Sequence, residues 1–293
     1  MTEAYHLHGT LPSLDAPVLV GNFTGWIDAS GAAAAALTAL DAVTEARPLA
    51  TFDPDMFIDY RARRPTMELR EGVSAALMWP EVVLKVGRTA TGRDLLLLGG
   101  SEPDSNWQRF AAAVTELAAA LGVARAVFFG AYPFACPHTR PSRLAVTSPD
   151  ASLVAPLPFV RSSLDVPAGM TAVLEHALTA SGVPALGLWA QVPHYLGAMA
   201  YPAASAALLE GLATVTGVVA PTSALREEAR LLTTRVDGLI AGNSEHRDMV
   251  AQLEAAYDAA PVAGPGAQLV DEPLPSADEL AAEVERFLRD QAD

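Results

Sequence analysis

The sequence predicts an α/β fold in which helices cover both faces of a mainly parallel sheet, in three layers. Short apolar runs alternate with alanine-rich amphipathic runs over the first 220 residues. The strand-like runs are residues 18–20, 94–98, 125–129 and 184–190, and the helix-like runs are residues 32–40, 107–121 and 203–215. Strands that are apolar along their whole length are typical of parallel sheets buried on both faces.

The segment between the first two strand–helix units, residues 49–93, predicts a β-hairpin insertion. It has little helical periodicity and contains two extended runs, residues 66–70 and 75–86. The second run would leave an apolar edge exposed, and proteins normally pair or cover such edges. We therefore expect the hairpin to pair with another subunit in a homo-oligomer.

The composition of the chain changes at Thr222, where charged amphipathic runs that predict helices begin. They are followed by a Pro/Gly-rich loop at residues 261–275 and by a last helix with Ser276 and Glu279 in capping-box spacing. We expect a core at residues 1–221 and a C-terminal helical segment at residues 222–293. That segment is too small for a core of its own and is predicted to lie over the core as a lid.

The loops that follow the strands should gather at one edge of the sheet, where α/β proteins bind ligands. The first and fourth loops, residues 21–31 and 190–197, should meet there and face the C-terminal helices. The candidate ligand-binding residues are Asn22, Phe23, Trp26, Asp28, Glu102, His138, Arg140, His194 and Tyr195.

Asp28, Glu102 and His194 are the candidate catalytic residues, because two carboxyls and an imidazole could perform acid–base chemistry. The alternatives are structural: Asp28 would cap the following helix with Trp26 packed under the edge, and Glu102 would bind backbone amides or Arg140. The glycine spacing of the first loop matches neither a dinucleotide fingerprint nor a P-loop. No metal-ligand spacing is present either, so the sequence predicts no cofactor and no metal.

Composition narrows the classes of partner. The formal net charge of −15 opposes binding to nucleic acid or to anionic membrane surfaces. Cys136 is the only cysteine, which excludes an intramolecular disulfide. We interpret Cys136 as a small side chain that packs in the protein interior. The first residues do not resemble a signal peptide and no run is long enough to span a membrane, so we expect a cytoplasmic protein.

Five short motifs together resemble the PAC2 family, named for proteasome assembly chaperone 2, and within it the actinobacterial branch. They are FTGWIDASGAAAAAL, TFDPDMFIDYRARRP, LLLLGGSEPDSNWQRF, HTRP and VPHYLGAMAYPAASAALL, in this order along the chain. The resemblance implies a phosphorylase/hydrolase-like core and a chaperone-like protein that binds a ligand or partner without catalysis. A trimer is the expected oligomer by analogy with phosphorylase-like assemblies.

Some archaeal members end in a hydrophobic–Tyr–X tail that docks into proteasome pockets, whereas this sequence ends in RDQAD. The same core also occurs in enzymes, so the alternative function is a hydrolase or phosphorylase acting on a small polar substrate at the strand-end pocket.

Overall fold

The computed structural model describes residues 4–260 and the backbone of residues 264–265. Its strands are β1 (Tyr5–Leu7), β2 (Val18–Thr24), β3 (Arg47–Phe52), β4 (Thr66–Arg70), β5 (Val73–Met78), β6 (Val82–Arg88), β7 (Asp94–Ser101), β8 (Arg125–Phe134), β9 (Leu144–Thr147), β10 (Val160–Arg161), β11 (Ala185–Pro193) and β12 (Gly264–Pro265). Its α-helices are α1 (Ala32–Thr44), α2 (Pro54–Phe57), α3 (Trp107–Ala120), α4 (Ala151–Val154), α5 (Met170–Ala180), α6 (Pro202–Thr216), α7 (Ser223–Ile240) and α8 (Ser244–Ala259).

The three-layer α/β fold is confirmed, and its sheet is mixed rather than purely parallel. Its strand order is β1-β3-β6-β7-β2-β8-β11-β9-β10-β12. The four central strands β7, β2, β8 and β11 run parallel, with Val20 opposite both Leu97 and Val127. Strands β1, β3 and β6 extend one side by antiparallel pairing, and β9 pairs antiparallel with β11 on the other. Apolar runs predict the buried centre, whereas the direction of the flanking strands depends on the long-range path of the chain.

The central strands are apolar because helices cover both faces. On one face, α1 and α6 pack over a core that includes Val20, Leu40 and Leu188. On the other face, α3 and α5 pack over a second core that includes Phe110 and Leu174. This arrangement gives three layers and brings the ends of β2, β7, β8 and β11 to one edge.

Residues 49–93 do not form a single hairpin in the structure. Strands β3 and β6, at the two ends of this segment, belong to the large sheet, and only β4 and β5 form a separate two-stranded hairpin. The run predicted at 75–86 divides near Pro80, because proline cannot donate the backbone hydrogen bond that a ladder requires.

Two amphipathic helices, α7 and α8, follow the core. Most of the loop predicted at 261–275, and the helix predicted from Ser276, lie outside the described residues. Within the described chain, no helix is long and apolar enough to cross a membrane.

Candidate functional site

The first and fourth loops are in direct contact at the carboxyl edge of the sheet. The backbone N–H of Ser30 donates to the carbonyl of Gly197 at 3.0 Å, and the Ser30 hydroxyl donates to the carbonyl of Leu196 at 3.3 Å. Ser30 has a φ of 62°, in the left-handed region, so the loop turns sharply before α1 begins. Two loops separated by about 160 residues of chain are thereby joined.

Asp28 lies at the start of α1 and binds its free backbone amides. Its Oδ1 accepts from Ala33 N at 2.8 Å and its Oδ2 accepts from Ala34 N at 3.0 Å. Burial raises the pKa of Asp28 above its ordinary value, against the hydrogen bonds from these amides, which act to lower it. Both carboxylate oxygens therefore serve as a helix cap, the structural role that was the alternative to catalysis.

Glu102 has the same relationship to α5. It is buried, and its Oε1 accepts from Met170 N, the first residue of the helix, at 2.7 Å. Its own backbone N–H donates to the carbonyl of Thr24 at 2.9 Å, which holds the end of β7 against the first loop. Glu102 thus binds a backbone amide and not Arg140.

His194 is exposed and lies edge-on to the ring of Tyr195, with 5.3 Å between the centroids. In the part of the chain that the structure describes, no hydrogen bond joins His194 to Asp28 or Glu102, or those two carboxyls to each other. The three candidate catalytic residues therefore do not form a connected acid–base group there.

Two of the candidate ligand-binding residues belong to the core. The Asn22 side chain is buried and donates to the carbonyl of Phe129 at 3.2 Å. The Phe23 ring packs edge-on against Phe110, with 5.8 Å between the centroids. Phe23 belongs to the core that lies under α3 and α5, so its ring faces that layer and not a pocket.

Trp26 is not packed under the edge as the structural alternative assumed. Its side chain is 43% exposed. The ring lies on Gly169, where a β-carbon would come 2.6 Å from Cδ1 of Trp26 and 3.1 Å from Oε1 of Glu102. Trp26 and the neighbouring Ile27 are the exposed apolar side chains of the first loop.

His138, Tyr195 and Asp237 form a hydrogen-bonded chain from the third and fourth loops to α7. The Tyr195 hydroxyl accepts from His138 N at 2.9 Å and lies 2.7 Å from His138 Nδ1, while His138 Nε2 lies 3.0 Å from Oδ1 of Asp237. A ring protonated on Nε2 satisfies all three contacts, because Tyr195 then donates to Nδ1 and Nε2–H donates to Asp237. Burial raises the pKa of Tyr195 to about 12, so its hydroxyl remains protonated.

Arg140 binds α8. Its guanidinium contacts Asp258 through Nε at 2.9 Å and a terminal nitrogen at 2.8 Å, and it contacts Glu254 at 3.0 Å. The hydrogen bonds from Arg140 hold the pKa of Asp258 below its usual range. Arg140 is therefore engaged by the C-terminal helices and not by a ligand.

Sequence reasoning did not identify Arg143 and Tyr257 as contact residues. The Arg143 guanidinium carbon lies 3.7 Å from the centroid of the Tyr257 ring, and the same guanidinium donates to the carbonyls of Tyr257 and Ala260. The Tyr257 hydroxyl donates to the carbonyl of Pro141 at 2.9 Å. The pairs are more than 110 residues apart, and no local sequence pattern marks them.

A second unpredicted group is the buried carboxyl of Glu175. Its Oε2 accepts from the Thr147 hydroxyl at 3.0 Å, whereas its Oε1 has no partner among the described residues. Burial raises the pKa of Glu175 to about 7. Glu175 occupies a core-facing helical position where an apolar residue would be expected, which is the one feature that could have marked it.

Cys136 is a free, buried thiol. Burial raises its pKa to about 12, so the nucleophilic thiolate is not populated near neutral pH. Within the described residues, no group of three or more His, Cys, Asp or Glu side chains is placed to hold a metal ion.

Two cavities of the described structure lie away from this edge. One is an apolar void of about 10 Å³ in the core near Leu19, Phe52 and Leu96. The other is an open groove of about 570 Å³ near the start of β7, bordered by Glu45, Arg47, Arg88 and Asp94. The expected pocket between the first and fourth loops is not one of these two; those loops are in contact there.

The fold and the site define a three-layer α/β protein whose edge carboxyls cap helices and whose third loop binds its own C-terminal helices. The model of the PAC2 family matches residues 22–240. The chain belongs to the PAC2 family, as its motifs indicated.

Several solved structures are similar to this chain. A Mycobacterium tuberculosis protein of unknown function is 35% identical, with a TM-score of 0.80 over 87% of this chain and 89% of that one. A PAC2 family protein from Streptomyces avermitilis is 36% identical, with a TM-score of 0.73 over 80% and 99%. A Mycobacterium tuberculosis proteasome-assembly chaperone homologue is 30% identical, with a TM-score of 0.74 over 80% and 99%. No curated protein matches the sequence.

Proposed function

We propose that this protein is a non-catalytic, chaperone-like binding protein that self-associates through the β4–β5 hairpin and binds a protein partner. The observation that carries the proposal is the apolar face of that hairpin. Met67 and Leu77 lie opposite each other in the register and are 52% and 51% exposed. An isolated two-stranded hairpin is marginally stable in water, so these side chains need a partner surface.

The geometry of the edge supports binding over catalysis. A hydrolase or phosphorylase would need a base or nucleophile free to reach a substrate. The carboxyls of Asp28 and Glu102 instead bind the amides of α1 and α5, and the exposed His194 has no carboxyl partner in the described chain that would orient it as a base. The proposal therefore favours binding over the alternative enzymatic function at this edge.

We further propose that the oligomer is a trimer in the cytoplasm, with neither nucleic acid nor membrane as a partner. The excess of acidic residues supports this choice of partners, because a net charge of −15 repels phosphate-rich surfaces. The trimer follows the analogy with phosphorylase-like assemblies. The hairpin supplies the apolar contact that such an oligomer requires.

The C-terminal segment, residues 222–293, is proposed to be a helical appendage to a core of residues 1–221 and to act as a lid. The contacts of His138, Arg140 and Arg143 with α7 and α8 support the placing of these helices over the core. A chain truncated after Pro221 is expected to unfold in one transition at lower stability, because Val236 of α7 leaves the core, and to bind an apolar dye more strongly at the uncovered edge. Unchanged dye binding would contradict the lid.

The partner class is suggested by the 30%-identical relative described as a proteasome-assembly chaperone homologue. We propose that proteasome subunits are the partner of this protein. The experiment is reconstitution of the proteasome from purified actinobacterial subunits, followed by native gel electrophoresis over time. The protein should raise the rate of assembly, and the Leu77→Lys variant should raise it less; assembly at the same rate with and without the protein would sink the proposal.

A further inference from the structure

Segment 138–143, with the sequence HTRPSR, is a small basic surface on a strongly acidic protein. It carries His138, Arg140 and Arg143 and no acidic residue. In the structure, all three of these side chains contact the C-terminal helices: His138 meets Asp237, Arg140 meets Glu254 and Asp258, and Arg143 meets Tyr257. The surface is thus occupied by a partner from the same chain.

The contacts made by α8 follow a helical spacing. Glu254, Tyr257 and Asp258 are at positions i, i+3 and i+4, so they lie on one face of the helix. Glu254 also accepts from the Thr139 hydroxyl, and the Tyr257 hydroxyl donates to the carbonyl of Pro141. Segment 138–143 therefore recognises one acidic helix face that contains a tyrosine.

The attachment of α8 depends little on apolar burial. Val250 is the only side chain of α8 that is buried, and α7 likewise buries only Val236. The side chains of the Arg140 ion pairs are 30% to 54% exposed. Exposed ion pairs are individually weak and are screened by salt, so this contact can open at a small cost compared with unfolding of the core.

We propose that segment 138–143 is a binding site for an acidic helix of a partner protein, and that α8 occupies this site in cis as a built-in competitor. A partner helix that presents two carboxylates and an aromatic ring with the spacing of Glu254, Tyr257 and Asp258 would replace α8. This site is separate from the hairpin surface, and it does not depend on oligomer formation or on proteasome subunits.

The test uses the full chain and two double variants that each remove two negative charges from α8. Glu254→Gln with Asp258→Asn removes both ion pairs with Arg140 and leaves only neutral acceptors. The control, Glu245→Gln with Asp248→Asn, changes exposed carboxyls that make no side-chain contact with segment 138–143. Hydrogen exchange followed by mass spectrometry is expected to show at least about tenfold faster exchange of residues 244–260 in the first variant only, with β8 and β11 unchanged.

The second measurement asks whether the freed surface binds a helix in trans. The probe is a fluorescent peptide with the sequence of residues 244–260, titrated into each protein at low and high salt. We expect at least about tenfold tighter binding to the first variant than to the wild type or the control, and a loss of binding when Arg140→Ala is added or salt is raised. Equal binding to all three proteins, binding that survives Arg140→Ala, or unchanged exchange of residues 244–260 would each overturn the proposal.

Discussion

The hydroxyl of Thr147 donates a hydrogen bond of 3.0 Å to Oε2 of Glu175, while the other carboxyl oxygen of Glu175 is buried without a partner among the described residues. The same Thr147 oxygen accepts from the indole nitrogen of Trp189 at 3.1 Å. Thr147 therefore links the carboxyl of Glu175 on α5 to the indole of Trp189 on β11. It provides a hydrogen bond to only one of the two carboxyl oxygens.

Glu175 should make the stability of the protein depend on pH. Its pKa rises from an ordinary 4.5 to about 7 on folding, so the folded state binds the proton more tightly than the unfolded state. The contribution of the protonated carboxyl is complete below pH 4.5 and is lost as the pH rises through 7. At about 1.4 kcal/mol per pKa unit, the loss is on the order of 3 kcal/mol.

The Glu175→Gln variant tests this dependence, because glutamine keeps an acceptor for Thr147 and does not ionise. Its free energy of unfolding relative to wild type, measured with urea, should rise between pH 4.5 and 8 by a few kcal/mol, on the order of the loss given by linkage. A difference that stays constant over this range would show that Glu175 has an ordinary pKa in the folded protein.

Asp28 should contribute to stability as a cap on α1. The Asp28→Ala variant loses both hydrogen bonds to the helix and is expected to be about 1–2 kcal/mol less stable. Asp28→Asn keeps one carbonyl acceptor and should lose less. Chemical denaturation of the three proteins measures this order, and equal stability of all three would contradict the capping role.

The hairpin should be the contact that forms the oligomer. Leu77→Lys places a charge on the face shared with Met67, whereas Ala76→Lys places the same charge on the opposite face, across from Glu68. Light scattering after size-exclusion chromatography should show a lower mass for Leu77→Lys, with a dissociation constant raised by about tenfold or more. Ala76→Lys should retain the wild-type mass; a monomeric wild type would remove the basis of the proposal.

Gly100, two residues before Glu102, should not tolerate a side chain. Its backbone has a conformation that residues with a β-carbon rarely adopt. Its φ is 137°, and a β-carbon there would come 2.0 Å from the carbonyl oxygen of Glu81. We expect Gly100→Ala to cost at least about 3 kcal/mol. Gly92→Ala is the control, since Gly92 also has a positive φ but faces open space, and it should cost about 1 kcal/mol. Thermal unfolding compares the two, and equal losses would contradict this account.

The central part of the fold could be predicted because its determinants are local. The apolar run at residues 18–20 and the alanine-rich run at 32–40 correspond to β2 and α1, each of which extends a few residues further. The flanking strands could not be predicted in the same way. Strands β3 and β6 have short, partly exposed patterns, and their place in the large sheet depends on pairing with strands elsewhere in the chain.

The meeting of the first and fourth loops could be predicted, whereas the hydrogen-bond partners of their residues could not. The sequence placed Asp28, Glu102, His138 and Tyr195 in loops at one edge, because parallel strands end together. Their partners could not be read from the sequence. Glu102 binds an amide 68 residues away and His138 binds Asp237, 99 residues away. Such contacts depend on how whole helices pack, which no local pattern encodes.

Asp28 and Glu102 come from the same edge of the sheet but hold helices on opposite faces of it. Helix α1 belongs to the layer that contains α6, and α5 belongs to the layer that contains α3. Strain applied at this edge therefore reaches both outer layers at once. The two layers should lose their structure in one cooperative transition. Under mechanical load the domain should therefore respond as a single body, because both layers are attached to the sheet at the same edge.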